Sequence, residues 1–124
     1  MDDPCEHALV MKAFASARGA WGYVTGYVEW IDDQAIANAR SKLADLDGLT
    51  PEEVRKMSID LVNDGLEVIQ SKETRDNWAE FPFKYFVRMP IDGVPWRVYV
   101  EFRLNDSDPD DPAVHIVSAH RHGV

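Results

Sequence analysis

The last third of the chain constrains the fold most. Three runs alternate apolar and polar residues: FKYFVRM over 83–89, WRVYVEFRL over 96–104 and AVHIVSAHR over 113–121. A period of two is the signature of a half-buried strand. Asp92-Gly93, between Pro90 and Pro95, is a hairpin signal joining the first two runs. Residues 105–112 (NDSDPDDP) form a solvated loop before the third. Short connections of this kind make sequential antiparallel neighbours. On the middle run Trp96, Val98, Val100, Phe102 and Leu104 point to the core, leaving Arg97, Tyr99, Glu101 and Arg103 on the opposite face. On the first, Phe83, Tyr85, Val87 and Met89 face inward and Lys84, Phe86 and Arg88 outward. The third run presents His115 and Arg121 in one phase, or Ser118, His120 and His122 in the other.

Helical signals fill the first part. Asp3 can cap a helix opening at Pro4, with Glu6 three residues after the cap; Val10, Ala13, Phe14 and Ala17 recur at helical spacing, and Gly19 ends the run. Residues 20–31 (AWGYVTGYVEWI) read as a strand or irregular extended segment interrupted by Gly22 and Gly26, with Trp21, Tyr23, Tyr27 and Trp30 placed in the core. Asp32 or Asp33 caps a second helix with Ile36, Ala39, Leu43 and Leu46 on one face. Thr50, Pro51 and Glu53 form a capping box for a third, expected to run to about residue 70 with Val54, Met57, Leu61 and Val68 inward. The expectation is one α+β domain over 1–124: helices on one face of a three- to four-stranded antiparallel sheet.

Composition narrows the class. With 124 residues and 45% hydrophobic content the chain can bury its own core. No apolar run approaches the length of a membrane span, the start lacks the layout of a signal peptide, and Cys5 stands alone, so the expectation is a cytoplasmic protein without disulfides or membrane contact. The net charge of −9 is unevenly placed: residues 1–80 hold 16 acids against 8 Lys and Arg, residues 81–124 hold 6 against 5. An acidic whole favours a basic protein partner over nucleic acid.

An outer sheet face with Lys, Arg, Tyr, Glu and His can hold a phosphate and move protons, or can be an ordinary solvated face with cross-strand ion pairs. His120 and His122 lack a third metal ligand at a recognisable spacing. Asp106, Asp108 and Asp110 begin like an EF-hand loop, but Asp111 stands where its glycine belongs and Val117 where its glutamate does. Cys5 has no nucleophile setting. No cofactor or metal is expected.

The order strand, helix, helix, three antiparallel strands resembles the RelE/ParE toxin family and, more loosely, the barnase–colicin–RelE ribonuclease group. The stretches that carry the likeness are YVEWIDDQAIANARSKLADL, WRVYVEFRL and VHIVSAHR, within residues 23–124. The resemblance implies either a messenger-RNA interferase or a gyrase-directed toxin, with Arg97, Arg103, His120 and Arg121 as the positions carried over. The chain departs from the family in its acidic balance, with a pI near 4.7, and in its additional N-terminal helix.

Two functions therefore stand. One is an acidic binding or inhibitor module, of immunity-protein, antitoxin or phage-inhibitor type, that docks on a basic partner through Asp32, Asp33, Asp45, Asp47, Glu52 and Glu53. The other is an RNA-cleaving or target-poisoning toxin, needing no metal, with its site on the outer sheet face. Counted charge favours the first; the order of elements and the Arg/His-bearing sheet favour the second. The binding module is the expectation and the toxin its alternative, because charge is counted whereas topology is inferred. The second also makes a structural demand. Adjacent residues His120 and Arg121 cannot both join Arg97 and Arg103 unless the last strand carries an irregularity.

Overall fold

In a computed structural model, which describes residues 3–44, 49–93 and 95–122, three helices cover one face of a five-stranded sheet. Helix α1 (Pro4–Ala17) is capped by the Asp3 carboxylate, which accepts from the N–H groups of Cys5 and Glu6 at 3.1 Å each. It buries Val10, Ala13, Phe14 and Ala17, the stripe its spacing predicts. Asp32 caps α2 (Asp33–Lys42) by accepting from Ala35 N–H at 2.8 Å. Thr50 caps α3 (Pro51–Asn63), and its Oγ1 also meets the Glu53 carboxylate at 3.1 Å.

Helix α3 is shorter than its apolar pattern suggests. Gly65 takes φ +111°, Leu66 N–H bonds back to Leu61 C=O at 2.8 Å and Gly65 N–H to Val62 C=O at 3.2 Å. These two bonds define a glycine helix stop, so Gly65 ends the helix rather than bending it. Val68, expected on the helix stripe, is instead buried just ahead of an additional strand, β4 (Ile69–Lys72).

Residues 20–31 do not form one strand. Arg18–Gly19 (β1) and Gly22–Tyr23 (β2) make a small hairpin, and Val28–Trp30 (β3) joins the main sheet. Trp21 at the hairpin tip is fully exposed and Tyr23 is exposed, which corrects their placement in the core; Tyr27 and Trp30 are partly buried against it. Two residues of pairing give the tip no apolar layer to fold against.

The strands β5 (Phe83–Pro90), β6 (Arg97–Asp106) and β7 (Ala113–His122) run antiparallel in sequence order, as expected. The whole order is β3-β7-β6-β5-β4, with β3 parallel to β7. The sheet is thus mixed and five-stranded, not purely antiparallel. Runs of three or four residues, such as VEW and IQSK, carry too little periodicity to announce an edge strand. Its inner face packs Tyr85, Val87, Met89, Val98, Val100, Phe102, Val114, Ile116 and Ala119 against the helices, all with no exposed surface. Phe14 of α1 meets Phe102 edge-on at 5.1 Å between centroids.

Candidate functional site

The last strand settles its own phase with a bulge. Glu101 pairs with Ser118, whereas Phe102 pairs with Ile116, so Val117 is an extra residue on β7. Before it the even positions Val114 and Ile116 are buried; after it the odd position Ala119 is. One extra residue therefore carries His115, Ser118, His120 and His122 to a single face, the face of Arg97, Tyr99, Glu101 and Arg103. The ribonuclease reading asks for an irregularity that brings both His120 and Arg121 to this face, and a bulge ahead of both residues does not provide it. The bulge admits His120 and turns Arg121 the other way, where its guanidinium lies 5.3 Å from the centroid of the Trp96 ring.

One half of this outer face is closed. After β4 the chain turns through residues 73–82, its neck pinned by Glu73 N–H to Pro82 C=O at 3.1 Å. This strap lays Glu73, Arg75 and Trp78 over the sheet. Arg103 has no exposed surface; it pairs with Glu73 and with Glu101 at 3.0 Å, beneath the Trp78 ring, whose centroid is 4.9 Å away. Arg75 reaches Glu101 at 2.5 Å, and Tyr99 Oη donates to the same carboxylate at 2.8 Å. Two carboxylates and two guanidiniums balance, and Arg103 Nε is the only buried side-chain nitrogen or oxygen among the described residues without a partner. Burial acts to raise the Glu73 pKa, but hydrogen bonds from Arg75 and the charges of Arg103 and Arg75 overcome it and bring the group to about 2. Glu101 is lowered by the same contest between burial and its Arg75, Tyr99 and Arg103 partners. Burial, then the bond to Glu101, pushes the Tyr99 hydroxyl upward. His115, across from Arg103, is lowered by burial.

The other half is open. Arg88 and Arg97 have no carboxylate within ion-pair distance among the described residues; Lys84 lies at the other end, in register with Arg103. Beside the two arginines runs a row of half-buried rings: Phe86 and Tyr99 stack at 5.1 Å and 28°, Tyr99 and His120 lie at 5.0 Å and 30°, and His122 flanks Tyr99 at 5.5 Å. Arg88 sits over Phe86 at 5.2 Å. Arg97 stands directly across from His122, and Tyr99 from His120. The His120 Nδ1 lies 2.9 Å from Arg121 C=O. A carbonyl only accepts, so this nitrogen carries a hydrogen, and in the neutral ring Nε2 keeps its lone pair.

Of the four positions carried over from the resemblance, then, Arg97 and His120 share the open half, Arg103 lies buried under the strap and Arg121 faces away. Of the acidic candidates, Asp32, Asp33, Glu52 and Glu53 lie at one end of the helical layer, where Trp30 Nε1–H donates to Pro51 C=O at 3.1 Å and so draws the start of α3 to the end of β3. Asp32 and Glu53 are engaged in caps. Glu52 pairs with Arg55 at 3.2 Å, a nearly buried arginine that also holds Glu29 at 3.0 Å and donates to Val28 C=O at 2.7 Å. Asp33 is exposed; Asp45 and Asp47 lie outside the described residues. No three His, Cys, Asp or Glu side chains converge as metal ligands among the described residues.

Sequence reasoning places Lys84, Phe86, Arg88 and Tyr99 on the outer face without seeing that their rings stack. It misses Glu73, Arg75 and Trp78 entirely, because a strap has no periodicity to read. Compared with protein-family models, curated proteins and solved structures, the chain matches none.

Proposed function

We propose that the protein acts on RNA through the open half of the outer sheet face, as a ribonuclease that uses its own side chains. The observation that carries this reading is the Val117 bulge, which sets His120 and His122 beside Arg97. Arg97 takes a phosphate and offsets the charge that grows on its oxygens. Neutral His120 accepts the 2′-hydroxyl proton at Nε2 as that oxygen bonds to phosphorus. Protonated His122 gives a proton to the departing 5′-oxygen. The bond to the 5′-oxygen breaks, leaving a 2′,3′-cyclic phosphate and a 5′-hydroxyl. The test is incubation of purified protein with end-labelled RNA. The expected products carry those two ends, with no cleavage at a position whose sugar is 2′-deoxy; intact RNA, free and ribosome-bound, would sink the reading.

A second reading, the acidic module docking on a basic protein, is favoured by the gathering of Glu29, Asp32, Asp33, Glu52 and Glu53 at one end. It expects binding that weakens with salt, chiefly through slower association. Four of these carboxylates already serve helix starts or Arg55, which lessens the field they offer a partner. Charge reversal at Asp33 is the cleanest probe, because Asp33 serves no cap: unchanged affinity for a basic partner would remove this end from the interface.

A further inference from the structure

Arg88 stands on the open half, unused by the chemistry above. It is exposed, and among the described residues no carboxylate lies within ion-pair distance of it. Its guanidinium is nevertheless held in place, 5.2 Å from the ring centroid of Phe86 on the same strand. Stacking of this kind occupies the flat face of a guanidinium and leaves the N–H donors around its rim free. Those donors match the oxygens of a phosphate. The strand register then places Arg88 relative to the reacting groups. Arg88 pairs with Tyr99 and Tyr99 with His120, so these three make one row across β5, β6 and β7; Pro90, Arg97 and His122 make the next. Arg88 is therefore the diagonal neighbour of Arg97, with about 7–8 Å between their backbones, a gap that two long flexible side chains adjust to one nucleotide. Past the second row the chain turns at residues 91–93, which bring an exposed carboxylate, Asp92, and no cation.

We propose that Arg88 binds the phosphate on the 5′ side of the ribose whose 2′-hydroxyl attacks, so that Arg88 and Arg97 hold two consecutive phosphates of one RNA strand. The proposal rests on the ribonuclease reading above and adds a direction to it. With Arg97 on the reacting phosphate and His120 at the 2′-hydroxyl, the attacking ribose lies over the row of Tyr99. A ribose carries its 5′-oxygen on the side away from its 2′-hydroxyl, which aims the preceding phosphate along that row toward Arg88. The leaving nucleotide, served by His122, departs over the second row toward Asp92, whose charge repels the phosphate that follows. The ring faces of Phe86, Tyr99 and His120 are turned on one another, so the row offers the strand only its edges. Arg88 thus reads the backbone and not the bases.

The experiment uses the full chain and dinucleotides with a ribose at the first sugar and a deoxyribose at the second, either bare, with a 5′-phosphate or with a 3′-phosphate. Cleavage kcat/KM is measured on each. Binding is measured separately on forms whose first sugar is 2′-O-methyl and cannot react. The 5′-phosphate should improve both by roughly 3- to 10-fold over the bare dinucleotide, chiefly through KM, and the 3′-phosphate should give no such gain. In Arg88→Ala the advantage of the 5′-phosphate should disappear, and Arg88→Lys should keep part of it. The advantage is a ratio within one variant, so partial unfolding does not imitate its loss. A parent that treats the bare and 5′-phosphorylated forms alike, an equal gain from the 3′-phosphate, or a gain that survives Arg88→Ala would each overturn the subsite. If the dinucleotides are cleaved without an Arg88-dependent gain, the subsite fails and the ribonuclease reading stands. If the 2′-O-methyl forms show that gain and no ribose form is cleaved, the subsite stands and the ribonuclease reading fails. Neither binding nor cleavage would remove both.

Discussion

Arg97 and Arg103 lie on the same face of the same strand, yet one is exposed and meets no carboxylate among the described residues, while the other has no exposed surface and meets two. The difference is made by a ten-residue strap arriving from elsewhere in the sequence. Where it lands, charges become part of the core; where it does not reach, the same residue type remains available to solvent and ligand. Strand alternation thus decides the side a residue takes, and the neighbouring chain decides what the residue can do there. An arginine held under an indole between two carboxylates cannot give its guanidinium to a phosphate without undoing that packing.

Breaking the closed half should have the largest effect. Arg103→Met leaves Glu73 and Glu101 buried without their central cation and should cost about 3–5 kcal/mol, read by urea unfolding. Arg97→Met, on the exposed end, should shift stability by no more than about 0.5 kcal/mol. Similar losses for both would erase the contrast. The activities should divide the other way. Arg97→Ala and His120→Ala should each lower RNA cleavage by about 100-fold or more with little change in melting temperature.

Acid should act on the closed half before the open one. The Glu73 pKa in the folded protein, about 2, lies below that of the unfolded chain, near the ordinary carboxylate value of about 4.3. Its contribution to stability is therefore complete above that ordinary value and lost as pH falls from there toward 2. Glu101 shifts in the same direction. Melting temperature should fall across that window, and Glu73→Gln, already destabilised at neutral pH, should show a flatter fall. A parent profile flat from pH 5 to 2 would mean the ion cluster does not hold the strap. The smallest effect belongs to Arg121. It neighbours His120 in sequence but faces Trp96, so Arg121→Ala should leave cleavage unchanged and alter stability by less than about 1 kcal/mol.

Much of this was legible in the sequence, and the exceptions share a physical cause. The three long strands, their order and the inward faces of Tyr85, Val87, Val98, Val100 and Phe102 follow from alternation over seven or more residues. The caps at Asp3, Asp32 and Thr50 follow from side chains bonding to N–H groups two or three residues away. Interactions that close over short sequence distances leave a local signature. The edge strands β3 and β4 exist through pairing with distant partners, as does the burial of Arg103 by Glu73. Gly65 marks a helix end by backbone geometry that its apolar neighbours conceal. In the candidate site, the outward residues could be named strand by strand, but their convergence depended on Val117, and nothing in AVHIVSAHR says which residue will be the unpaired one.

The bulge at Val117 also changes what length variation would mean in this strand. In a regular strand, losing one residue turns every later side chain over, exchanging core for surface. Here β7 already holds one residue more than its partner pairs with, so a deletion at 117 would restore unbroken alternation with Val114, Ile116 and Ala119 inside and His115, Ser118, His120 and His122 outside. The strand carries slack at that point, and a one-residue deletion that ruins the molecule at Val87 or Val100 is absorbed there as a loss of local twist.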